Sequence, residues 1–155
     1  MRLSEYLQPR LVVIGLRTEG VEDTIHTMIL RLAETESVRD PDVVEKALVE
    51  REASHTTSLG NGVALPHATV PGLDRPLILI GLAPDGVAFG SGDESEPDRL
   101  FFVLLSPLNQ AGTHIKLLAR IVRLVRRPGL IETLLAAESG EEVVRAIERV
   151  DAQHV

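Results

Sequence analysis

Apolar residues cluster in three short runs along the chain: LVVIG (Leu11 to Gly15), LILIGLA (Leu77 to Ala83) and LFFVLL (Leu100 to Leu105). Each has the length and the unbroken hydrophobicity of a buried β-strand. Gly15 ends the first, and Pro107 is expected to stop the third. A fourth strand is expected over VALPH, residues 63–67. Between these runs the period changes. Val21, Ile25, Met28, Ile29 and Leu32 fall on one face of a helix. Asp40-Pro41 is a start signal, with Asp40 as cap and Pro41 at the first helical position. The helix it opens turns Val43, Val44, Ala47 and Leu48 inward and runs to Arg51 or Ala53. THIKLLARIVRLVRR reads as a long helix capped by Thr113 and ended by Pro128-Gly129, with LIETLLAA as a shorter helix beyond. Ser139 and Glu142 have capping-box spacing ahead of Val143, Val144 and Ile147, in a helix ending near Val150.

The connections are polar. SHTTSLGNG (residues 54–62) is too rich in Ser, Thr and Gly for either element. Pro71, Gly72 and Pro76 bracket a turn, and Asp85-Gly86 predicts another at the start of a glycine-rich, acidic stretch. There is no internal repeat, low-complexity segment or linker. Two helices precede most of the strands and three follow them. The expected fold class is therefore α/β: one domain over residues 1–155, with a mixed central β-sheet flanked by helices. Strict βαβ alternation is absent, so a fully parallel sheet is not expected.

Composition narrows the function classes. The chain has 155 residues, of which 44% are hydrophobic and 25% charged, as in an ordinary globular domain. Its net charge of −7 argues against a nucleic-acid partner. It contains no cysteine, which removes disulfides, thiolate nucleophiles and cysteine-held metals. No apolar run approaches the ~20 residues that cross a bilayer, so direct membrane insertion is not expected. The opening MRLSEYLQPR lacks a signal-peptide core, and a cytoplasmic location is the simplest expectation.

The candidate chemistry centres on GNGVALPHA, residues 60–68. Pro66 fixes its own φ and forces Leu65 to be extended. His67 is then expected at the end of a strand, where the chain leaves the sheet. Gly60 and Gly62 allow tight curvature and close approach of a ligand, and amides there could cradle an anion. A neutral imidazole at this point can act as a nucleophile. The plainer alternative is a histidine bonded to a nearby carbonyl, and the residues alone leave both open. Arg51 is either a bidentate anion clamp or a surface partner of Glu50 or Glu52. His114, in the first turn of a helix capped by Thr113, stands where an anion is favoured. Thr56, Thr57 and Ser58 offer hydroxyls and Asn61 an amide, either to a ligand or to local turns. His26 and His154 read as solvated, His55 as ambiguous, and Lys116, Arg120, Arg123 and Arg127 as a solvated helix face. A metal site of His67, His114 and an acidic residue is a minor alternative without HxxH-type spacing. No metal and no other cofactor is expected.

GNGVALPHA resembles the active-site signature of the fructose/mannitol-type enzyme IIA domains of the bacterial phosphotransferase system. ALVERE (Ala47 to Glu52) before TTSLGNG, and LFFVLLSP before HIKLLARI, extend the resemblance from about Leu3 to Ile147. The chain departs from the pattern at Ser58, where glycine is common, and after His67, where Ala68-Thr69-Val70 lacks the usual basic residue. The resemblance implies that His67 carries a phosphoryl group on Nε2, received from an HPr-type phosphocarrier protein. Arg51 and His114 would be its companions, and Thr56, Thr57, Ser58 and Asn61 further phosphoryl-binding candidates. It implies either hand-over to a separate IIB protein or, as in the nitrogen-regulatory branch, a phosphorylation-controlled docking to a regulatory target. Which acceptor, which sugar and what oligomeric state are not legible in the residues.

Overall fold

The computed structural model describes residues 2–35, 38–90 and 96–153. Of the sequence readings, His154 and residues 91–95 of the glycine-rich, acidic stretch lie outside them.

The order of elements is β1 (Val12–Ile14), α1 (Gly20–Thr35), α2 (Pro41–Ser54), β2 (Ser58–Gly60), β3 (Val63–Ala64), β4 (His67–Val70), β5 (Leu77–Val87), β6 (Asp98–Pro107), α3 (Ala111–Val125), α4 (Leu130–Leu135) and α5 (Gly140–Ala152). The strands form one sheet in the order β1-β5-β6-β3-β2, with β4 also paired to β6. It is mixed, as expected. β1 runs parallel to β5 and β6 parallel to β3 and β4, while β5–β6 and β2–β3 are antiparallel.

Both faces of the sheet are covered, which is why its inner strands are apolar without interruption. Successive side chains of a strand point to opposite faces. Ile78, Ile80 and Leu82 of β5 and Leu100, Phe102 and Leu104 of β6 pack with Leu117 and Ile121 of α3, Leu134 of α4 and Ile147 of α5. The alternate residues Leu77, Leu79, Phe101, Val103 and Leu105 pack with Ile25, Met28, Val44 and Leu48 of α1 and α2. Two cores thus sit back to back across one sheet.

Several local expectations change. SLG of the polar stretch pairs as β2, because Asn61-Gly62 closes a hairpin: Gly60, Asn61 and Gly62 have φ of 82°, 57° and 83°. Positive φ at both central residues matches the right-handed twist of the flanking strands. Asp85-Gly86 does not end β5, which continues to Val87. A register shift between Leu82 and Val87, with Gly86 at φ 79°, makes this a bulge rather than a turn. Val43 is 41% exposed, not inward, because Val44 and Leu48, one turn apart, take the core side. Asp40 caps α2 as expected, accepting from Val43 N at 3.4 Å. Thr113 does not cap α3: the helix begins at Ala111 with Gln110 in the cap position, set by the turn in which Gln110 N donates to Pro107 O.

Candidate phosphoryl-transfer site

The expected strand end at His67 is instead a strand start. Val63 pairs with Leu100, Ala64 with Phe101 and His67 with Leu104, so the register beside β6 never slips through Leu65-Pro66. Pro66 donates no N–H, but its carbonyl accepts from Leu104 N at 3.0 Å, while Leu65 N turns to Thr57 O at 3.1 Å. The proline interrupts the strand without letting it leave the sheet. Alternation then decides where the side chains go. Val63 and Leu65 face the α3 layer and Ala68 and Val70 the α2 layer, so His67 faces α3. Ser106 follows Leu104 on that same face of β6.

His67 Nδ1–H donates to the Leu65 carbonyl at 2.7 Å. A carbonyl oxygen only accepts, so the proton is on Nδ1 and Nε2 keeps its lone pair. Burial lowers the imidazole's pKa, and the Arg51 guanidinium adds to that; the Leu65 bond and the Glu52 charge pull the other way. The net result is a neutral ring near pH 7. Opposite it, at 5.6 Å between ring centroids and tilted by 47°, lies His114. His114 is 8% exposed, and burial and the charge of His67 lower its pKa as well. Its Nδ1 meets Ser106 Oγ at 2.7 Å, and its backbone N–H donates to Gln110 O.

The remaining candidates divide. Arg51, in the last turn of α2, donates from Nη1 to His55 O at 2.9 Å and pairs with neither Glu50 nor Glu52. Glu52 is buried and accepts from Thr57 N and Thr57 Oγ1, both at 2.6 Å, and from Thr56 Oγ1 at 3.1 Å. Ser58 Oγ donates to Asp98 Oδ1 at 3.1 Å. The three hydroxyls offered to an anion are therefore engaged by carboxylates. Asn61 lines a separate cleft of about 450 Å³ with Arg99, Val122 and Arg126, to which neither histidine contributes. His26 is exposed but paired, Nδ1 to Glu45 Oε1 at 2.8 Å. Arg120 is not on a solvated face: it bonds Asp151 at 2.7 Å. Among the described residues no three His, Asp or Glu side chains are grouped to hold a metal ion, and no helix is long and apolar enough to cross a membrane.

Sequence reading missed Glu52, Asp98 and Ser106. For Ser106 a signal existed: it is the one hydroxyl in an apolar run, at even spacing from Leu104.

A mixed sheet between two helical layers, with one histidine fixed behind a proline and a second facing it, has the form of a fructose/mannitol-type enzyme IIA domain. Residues 5–150 match the family described as Phosphoenolpyruvate-dependent sugar phosphotransferase system, EIIA 2, and the chain belongs to it. It is 28% identical over 151 residues to the PTS system fructose-specific EIIABC component of Bacillus subtilis, covering 97% of this chain but spanning only 24% of that protein. It is 29% identical over 143 residues to the Nitrogen regulatory protein of Bradyrhizobium diazoefficiens, covering 92% of each. Among solved structures it superposes on Nitrogen Regulatory Protein IIA-Ntr from Neisseria meningitidis with a TM-score of 0.81 at 25% identity, over 94% of this chain and 98% of that one.

Proposed function

We propose that the chain is a phosphoryl carrier in which His67 Nε2 accepts a phosphoryl group from the phosphohistidine of an HPr-type donor. The observation that carries this reading is the Nδ1–H to Leu65 carbonyl bond, which commits the lone pair to Nε2 on a ring kept neutral by its surroundings. In the transfer, Nε2 attacks phosphorus in line. The P–N bond of the donor breaks with its electron pair staying on the donor nitrogen, and the P–Nε2 bond forms. Little else is required of the protein beyond position and electrostatics. The Leu65 carbonyl then faces a ring that has gained positive charge, and Arg51 and His114 offer N–H groups to the phosphoryl oxygens.

The next step is the reverse reaction towards an acceptor outside this domain, whose residues include no cysteine of the kind that IIB domains of this class use. Similarity over 92% of both chains to a Nitrogen regulatory protein favours a regulatory target over a IIB protein as that partner. A nearly dianionic group at a docking face changes its charge and hydration enough to switch binding.

Incubation with phosphoenolpyruvate, enzyme I and an HPr-type carrier, read by intact mass, tests the chemistry. The wild type gains one acid-labile phosphoryl group, His67→Ala gains none, and His114→Ala gains it more slowly. A wild type that gains no phosphoryl group from cognate donors overturns the carrier reading.

A further inference from the structure

We propose that Ser106 is a positioning residue that holds His114 in the Nε2–H tautomer, the opposite of the tautomer of His67. The pair then presents one bare nitrogen to phosphorus and one N–H to the phosphoryl oxygens. The inference rests on the carrier reading for its purpose, but the assignment of the proton stands on hydrogen-bond chemistry alone.

The two rings meet different partners through the same atom. His67 Nδ1 faces a carbonyl, which can only accept. His114 Nδ1 faces a hydroxyl at 2.7 Å, which can donate or accept. Which of these Ser106 does follows from its surroundings. The residue is 0% exposed, and among the described residues its Oγ has no hydrogen-bond partner other than His114. If Nδ1–H donated to Oγ, the serine O–H would be a buried donor with no acceptor. Such a group has lost its water and gained nothing in return. If instead the serine O–H donates to Nδ1, the buried serine donor is met, and the ring N–H falls on Nε2, which is not among the buried atoms left without a partner and so can be hydrated. The second arrangement wins, and it puts the ring proton of neutral His114 on Nε2.

That choice matters because a phosphoryl group offers only acceptor oxygens. With ring centroids 5.6 Å apart, the His114 ring is within reach of a group attached to His67 Nε2. A His114 with its lone pair on Nε2 repels those oxygens; one with N–H there binds them. Sheet alternation places Ser106 on the α3 face two residues beyond Leu104, the register partner of His67, so one strand sets the backbone of the first histidine and the ring of the second.

Nitrogen-15 NMR of the imidazoles in the unphosphorylated wild type reads the tautomers directly. The expected result is Nδ1–H for His67 and Nε2–H for His114; Nδ1–H on His114 overturns the proposal before any variant is made. In Ser106→Ala the His114 signals move towards a mixture of tautomers, and phosphoryl transfer slows roughly tenfold, less than the ~10²-fold typical of deleting a direct oxyanion donor. Ser106→Thr, which keeps the hydroxyl, restores the wild-type tautomer. If Ser106→Ala leaves both tautomer and rate unchanged, Ser106 does not position the ring. Failure of the wild type to be phosphorylated overturns the carrier reading instead, while the tautomer result is still read from the same sample.

Discussion

Burial acts in opposite directions on the imidazoles of His67 and His114 and on the carboxyl of Asp98. Loss of water penalises the charged form of each, so the histidines are pushed down and the acid up. Asp98 is 1% exposed, bonded on one oxygen by Ser58 and on the other by nothing among the described residues. Its pKa rises from 3.8 to about 6, mainly through burial, against the Ser58 bond and with help from Glu52 and Glu96. Between pH 4 and 6 the native state therefore holds a proton that the unfolded chain releases. Stability from this group is full below pH 4 and is lost as pH rises to 6. Denaturant unfolding across this range should show that loss in the wild type and not in Asp98→Asn. The two should diverge by up to about 3 kcal/mol, from about two pKa units at 1.36 kcal/mol each. Parallel pH profiles would contradict it. The two histidines have the opposite sign: their contribution is lost as pH falls below 6.5, where the unfolded chain takes up protons first.

At the scale of elements, what could be read from the sequence is what burial on two faces writes into it. The apolar runs of β5 and β6, the periodic faces of α1 and α3, and the caps Asp40 and Ser139 all reappear, Ser139 accepting from Glu142 N at 3.2 Å; the first run forms β1, but as an edge strand that buries Val12 and leaves Ile14 39% exposed. What could not be read depends on partners far along the chain. The SLG segment becomes β2 only because β3 lies beside it, and β5 passes Asp85-Gly86 only because β6 continues to pair with Val87. The same limit applies to the site. His67, His114 and Arg51 were visible as residue types, whereas the engagement of Thr56 and Thr57 by Glu52 and the role of Ser106 needed the fold. The hairpin offers a clean test. A Cβ on Gly62 would meet nothing closer than 3.8 Å, so space is not the obstacle. Its φ of 83° is, and Gly62→Ala should cost about 1–2 kcal/mol in urea unfolding, with Asn61→Gly neutral or stabilising. An unaffected Gly62→Ala protein would show that the turn does not hold β2 in place.

Over the whole molecule, the first and last described segments are tied to α3 through one carboxylate. Asp151 of α5 is 2% exposed, accepts from Leu3 N at 2.7 Å and from Arg120 Nε at 2.7 Å, and so joins the chain's start, its end and the helix that carries His114. Removing one partner of a buried ion pair leaves the other uncompensated. Asp151→Ala should lower stability by about 3–5 kcal/mol, and the double change Arg120→Met, Asp151→Leu by much less. Equal losses in the two would mean that the tie owes its strength to packing rather than charge. The unslipped register through Pro66 has a consequence of another kind. Because the backbone of His67 is laced to a strand with neighbours on both sides, the ring is carried by the sheet and not by a loop. On the proposed carrier reading, a site built this way works like a fixed terminal. Its turnover follows how often partners arrive in the right orientation, so it should respond to viscosity and to ionic strength, and show no slow internal step of its own.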